Sequence, residues 1–156
     1  MGWNSWNCYG AGVNAQDLRD TADFFVSSGL AGAGYTYVST DDGWMSGRDA
    51  NGRMIADPLK FPGGWPALSA YVHGKGLKLG LYSAASSVVC SGRVGSLYNE
   101  DIDAETFASW GIDYVKYDVR FAQGRRFIRA LCSPPIIKFC ATHPLPPPPS
   151  FFFFVL

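Results

Sequence analysis

Residues 107–118 read FASWGIDYVKYD, and the fold is decided by this stretch. Its first part closes a helical pattern. Residues 101–110 place Ala104, Phe107 and Ala108 on one face, and Gly111 follows as a stop. Its second part, residues 112–117 (IDYVKY), is β-branched and aromatic and reads as a strand. The same order recurs upstream. Residues 77–82 (LKLGLY) read as a strand after a helix that has Pro66 in its first turn, runs through Leu68 and Val72, and stops at Gly74 and Gly76. Residues 35–39 (YTYVS) follow a helix over 15–28, with Asn14 as N-cap, an apolar stripe of Leu18, Ala22, Phe25 and Val26, and Gly29 beyond it. Residues 3–6 are an earlier, shorter strand candidate. Repeated βα units imply a parallel sheet with right-handed crossovers. A doubly wound sheet and a (β/α)8 barrel both fit, but no G-x-G-x-x-G follows a strand, which weakens the dinucleotide-binding version.

Composition divides the chain at the end of that stretch. Over 156 residues, 13 basic side chains cancel 13 acidic ones, so the total balance points to neither a nucleic-acid nor an acidic-membrane partner. Every Asp and Glu lies at or before Asp118, with eight basic residues, a net of −5; the remainder carries five basic residues and no acid. Seven of the ten prolines fall in residues 119–156, which also contain Pro134-Pro135, a run at 146–149 and four phenylalanines at 151–154. The expectation is an irregular Pro/Phe-rich tail, disordered or the product of a shifted reading frame or unspliced message. No apolar run approaches the roughly 20 residues of a membrane helix, and no secretory signal is expected before the first motif. Cys8, Cys90, Cys132 and Cys140 lack metal-ligand spacing, so no metal and no cofactor is expected.

Polar residues gather where the strands end: Asp41 and Asp42, Tyr82 and Ser83, Lys116 and Asp118. In barrels that edge carries the chemistry. Alternation puts Tyr114, Lys116 and Asp118 on one face. Taken alone, Lys116 and Asp118 also fit a structural ion pair. Asp41-Asp42-Gly43-Trp44 also fits an Asx turn with a packed tryptophan. Together, three carboxylates, a lysine, a tyrosine and nearby tryptophans (Trp3, Trp6, Trp44) suit a neutral polyhydroxylated ligand. His73 lies in a helix away from the strand tips and His143 in the tail, so neither is a catalytic candidate.

MGWNSWN at the start, DDGW at 41–44, KFP with HGKGLKLGLYS, and the FASWGIDYVKYD stretch resemble glycoside hydrolase family 27, the α-galactosidases and α-N-acetylgalactosaminidases. The resemblance covers residues 1–118. It implies the N-terminal half of a (β/α)8 TIM barrel, about four βα units, from a retaining glycosidase; a complete barrel takes about 250 residues. It makes Asp118 the nucleophile. It places Lys116 on sugar hydroxyls and Asp41 and Asp42 on the 4- and 6-hydroxyls of galactose. Trp6 becomes the ring-facing tryptophan, Tyr82 the tyrosine of the third strand, and Cys90 a cysteine lining the site. A nucleophile must be ionised, and Lys116 offsets the repulsion of neighbouring carboxylates.

The departures from the family are specific. A family disulfide joins positions that here are Ala11 and Gly43, and a second would tie Cys90 to the position of Arg120. The family's acid/base aspartate and an arginine near the 2-hydroxyl have no match in residues 119–156. The expected partner is an α-galactoside, bound by a truncated chain without turnover. Three alternatives stay open: a noncatalytic sugar-binding fragment, an α-N-acetylgalactosaminidase, and a barrel enzyme in which Lys116 forms a Schiff base.

Overall fold

A computed structural model of the chain describes residues 1–118 and 152–155. Its elements are β1 (Gly2–Asn4), α1 (Trp6–Tyr9) with a 3-10 turn (Gly10–Gly12), α2 (Ala15–Ser27), β2 (Tyr37–Ser39), β3 (Met45–Arg48), β4 (Met54–Ala56), α3 (Gly64–Gly74), β5 (Lys78–Ala84), α4 (Glu100–Ser109), β6 (Tyr114–Asp118) and β7 (Phe152–Val155). The main sheet runs β1-β2-β5-β6-β7 with every neighbour parallel. α2, α3 and α4 occupy the crossovers β1–β2, β2–β5 and β5–β6. β5 is buried at every position after Lys78, the mark of a parallel strand covered on both faces.

The helices begin and end where local chemistry dictates. Asn14 caps α2: its Oδ1 accepts from the amides of Gln16 (2.8 Å) and Asp17 (3.2 Å), while Asp17 Oδ2 accepts from the Asn14 amide (2.9 Å). Gly29, at φ +80°, lies just past its end. Leu18, Ala22 and Phe25 face the core, whereas Val26, expected in the stripe, is turned toward solvent. One residue past Phe25, it lies about 100° further round the helix.

On α4 the inward face is also rotated from the expected one. Asp103, Thr106 and Phe107 are buried, while Ala108 is exposed. An ion pair causes this: Arg48 Nη1 and Nη2 meet the two Asp103 oxygens at 2.6 and 2.7 Å, drawing a carboxylate inward. Arg48 gives its remaining bonds to the carbonyls of Gly52 (2.7 Å) and Gly95 (2.9 Å). The pair thus fastens α4 and the loop after β5 to the antiparallel β3–β4 hairpin. That hairpin had no counterpart in the sequence reading. Asp49 builds its turn, with Oδ1 accepting from the amides of Asn51 and Arg53, both at 2.8 Å.

Trp44 is fully buried in an aromatic cluster and is not a sugar-stacking surface. Its ring meets Trp65 (5.3 Å between centroids), Trp110 (5.9 Å) and Phe107 (6.0 Å), and Phe61 stacks on Trp65 at 4.7 Å. Such pairs contribute about 0.5–1.5 kcal/mol each beyond their buried area.

Within the stretch expected to be irregular, residues 152–155 form a strand with Phe153 opposite Val115. Phenylalanine and valine favour extended backbone, and β6 would otherwise offer them an open edge. Residues 119–151 and 156, including Arg120, Cys132, Cys140 and His143, lie outside the described residues.

Candidate functional site

The carboxyl ends of β1, β2, β5 and β6 converge. Register sets Tyr82 opposite Lys116 and Ala84 opposite Asp118, so these side chains share one face of the sheet. Lys116 Nζ donates to Asp41 Oδ2 at 2.7 Å and lies 5.4 Å from the centre of the Tyr82 ring. The Tyr82 hydroxyl reaches Asp118 Oδ2 at 3.4 Å. Lys116 therefore meets Asp41 across the sheet.

Two neighbouring aspartates serve one mouth because the chain bends between them. The Asp42 amide donates to Asp41 Oδ1 (2.9 Å), and Gly43 follows at φ +102°. A Cβ on Gly43 would lie 2.5 Å from the Ala11 carbonyl oxygen, so a side chain there would require the two backbone segments to move apart. The positions at which the family carries its first disulfide are thus in backbone contact. Lys60 joins them instead, donating to the carbonyls of Ala11 (2.5 Å) and Gly43 (2.9 Å).

Both aspartates are buried, Asp41 at 3 % and Asp42 at 1 % exposure, and each carboxylate oxygen accepts one hydrogen bond. The Asp41 amide donates to the buried Ser5 Oγ at 2.9 Å. Asp42 Oδ2 accepts from the Ser91 amide and Oδ1 from its hydroxyl, each at 2.7 Å. Ser5 and Ser91 were not anticipated. Both are short polar residues beside a recognised one, Trp6 or Cys90, and only the fold reveals their targets.

Burial pushes the Tyr82 phenol well above its ordinary value, and the nearby charges of Asp118, Asp42, Cys90 and Asp41 push the same way. One hydroxyl thus senses all three carboxylates. Tyr114, on the same face, is raised by burial and then by Asp41. Trp6 opens α1 next to Ser5 and is 42 % exposed, leaving its ring available as a flat apolar surface. Cys90 is exposed with a free thiol. Among the described residues no cluster of His, Cys, Asp or Glu suits a metal. The apolar groove lined by Trp3, Tyr9, Phe24 and Tyr35, about 480 Å³, is distinct from this mouth.

Such a chain is an α/β protein with a carboxylate-rich site at the ends of its parallel strands, in the position where α/β enzymes bind ligands. It belongs to the alpha galactosidase A family, whose model matches residues 1–130, twelve residues past the last motif at Asp118. It is 55 % identical over 118 residues to an α-galactosidase A of Cellvibrio japonicus, covering 76 % of this chain and 29 % of that protein. Among solved structures it resembles α-galactosidase I from Mortierella vinacea, with a TM-score of 0.78 and 48 % identity over 80 % of this chain and 32 % of that one. It also resembles an α-galactosidase of Saccharomyces cerevisiae in a structure with raffinose, at TM-score 0.78 and 41 % identity over 80 % of this chain and 28 % of that one. The chain spans about three tenths of the length of these relatives.

Proposed function

We propose that residues 1–118 are the N-terminal half of a (β/α)8 barrel, and that the mouth binds a terminal α-D-galactosyl residue as the glycone site of a retaining α-galactosidase. The observation that carries this reading is the pairing of Lys116 with Asp41 beside the contact of Tyr82 with Asp118, all at strand ends. In this reading Asp118 attacks the anomeric carbon while the bond to the leaving oxygen breaks, giving a glycosyl-enzyme intermediate. Asp41, Asp42 and Lys116 bind the sugar hydroxyls, the Trp6 ring faces the apolar side of the sugar, and Tyr82 and Cys90 line the pocket. Protonation of the leaving oxygen needs a second carboxyl about 5–5.5 Å from the first. The family carries it on later strands, in the part of the relatives that this chain does not span. A boundary at Asp118 belongs to the same reading and is supported by the change in charge sign and proline content there.

The activity expected of these 156 residues is sugar binding without turnover. Calorimetric titration of the full chain should give saturable galactose binding, with glucose weaker by about tenfold because the wrong epimer leaves a buried acceptor unpaired. Absence of galactose binding refutes the site. Hydrolysis of an aryl α-galactoside that disappears in Asp118→Ala refutes the half-barrel reading, since this chain would then hold its own acid/base.

A further inference from the structure

Ser91 satisfies Asp42 from two directions, and nothing in its own environment requires that. It lies on an exposed loop after β5, yet its amide and hydroxyl both turn inward to one carboxylate, one bond to each oxygen. The loop is built to hold it there. Val89 donates to the Arg93 carbonyl (2.8 Å), the Gly92 amide returns to Val89 (2.9 Å), and Val88 bridges Val94. The Arg93 side chain leaves the loop to bond the Met45 carbonyl on β3 and to reach Asp57 at 3.5 Å. The Gly95 carbonyl is held by Arg48 at 2.9 Å. Two arginines thus anchor an otherwise exposed loop just past its serine, at Arg93 and at Gly95.

A carboxylate held by one bond can rotate about its last torsion, but one held at both oxygens cannot. Each Asp42 oxygen accepts one bond from Ser91 and keeps a second lone-pair direction for a ligand. Asp41 is arranged likewise, with one oxygen on Lys116 and the other on the Asp42 amide. Fixed acceptor directions separate an axial from an equatorial hydroxyl, because a rotating acceptor would follow either.

We propose that Ser91 is a positioning residue for hydroxyl discrimination: it fixes the plane of the Asp42 carboxylate so that the site selects the galactose over the glucose epimer. This rests on the proposed glycone site. The test is titration of the full chain and its Ser91→Ala and Ser91→Thr variants with both sugars, alongside thermal melting. Ser91→Ala, which keeps the amide bond, should weaken galactose about tenfold and leave glucose within about twofold, and Ser91→Thr should restore the preference. The Ser91 amide should exchange with solvent markedly faster in Asp42→Asn than in the parent. An unchanged galactose-to-glucose ratio in Ser91→Ala, or an equal loss for both sugars, overturns the positioning role while leaving the sugar site standing. A parent chain that binds no galactose overturns the sugar site and this inference with it.

Discussion

Two acid–base pairs hold this molecule in opposite ways. Arg48 and Asp103 meet fork to fork, with Asp103 2 % exposed and the other guanidinium bonds going to two carbonyls. Lys116 and Asp41 meet through one bond, with the lysine side chain 26 % exposed and the aspartate side chain 5 % exposed. An ammonium has three donors, and one of them meets Asp41. The first pair uses four of the five guanidinium donors and joins β3, α4 and a loop. The second leaves two ammonium donors without a hydrogen bond to a described residue, at the strand ends. A nearly saturated pair is scaffold, whereas an unsaturated pair at strand ends is poised for a ligand that brings hydroxyls.

Cutting the scaffold pair should produce the largest effect. Arg48→Met leaves Asp103 buried and uncompensated, so urea unfolding should lose about 3–5 kcal/mol. A loss below about 1 kcal/mol would mean that the hairpin and α4 do not depend on the pair.

Cutting the site pair should divide differently. Because solvent screens Lys116, Lys116→Met should lose only about 1–2 kcal/mol of stability. Galactose affinity should fall on the order of a hundredfold in the same variant. Equal losses of stability in the two variants would erase the distinction between the pairs.

The smallest expected effect is alkaline. Burial first, then nearby carboxylates, hold the Tyr82 and Tyr117 phenols above their ordinary value in the folded chain. The unfolded chain loses those protons near pH 10, so stability fully present below about pH 10 falls as pH rises beyond it. Urea midpoints across that range should decline, and Tyr82→Phe or Tyr117→Phe should each flatten the decline. A parent midpoint that does not fall would contradict the burial of both rings.

The sequence made the repeating elements legible because glycine stops and strand composition are local signals. α2 begins and ends at its cap and its glycine, and β5 and β6 fall within two residues of the runs that announced them. Asn51-Gly52 was a hairpin signal, but the residues around it lack a long alternating pattern, so β3 and β4 were missed. Asp103 could not be placed by hydrophobic periodicity, since its inward turn depends on an arginine 55 positions away. Ser91 was hidden for the same reason, being 49 positions from Asp42. Trp44 was ambiguous because a core ring and a ligand platform share one letter. The carboxylates at the strand ends were legible as a group, and their individual partners were not.

The Lys60 tie between Ala11 and Gly43 has a consequence of its own. Where the family places a covalent bridge, this chain has an ammonium shared by two peptide oxygens. Such a fastening closes as quickly as the backbone comes together, needs no oxidant, cannot be shuffled to a wrong partner, and opens and recloses without chemistry. The first loop and the aspartate turn are joined here by a latch that no change of redox state can open.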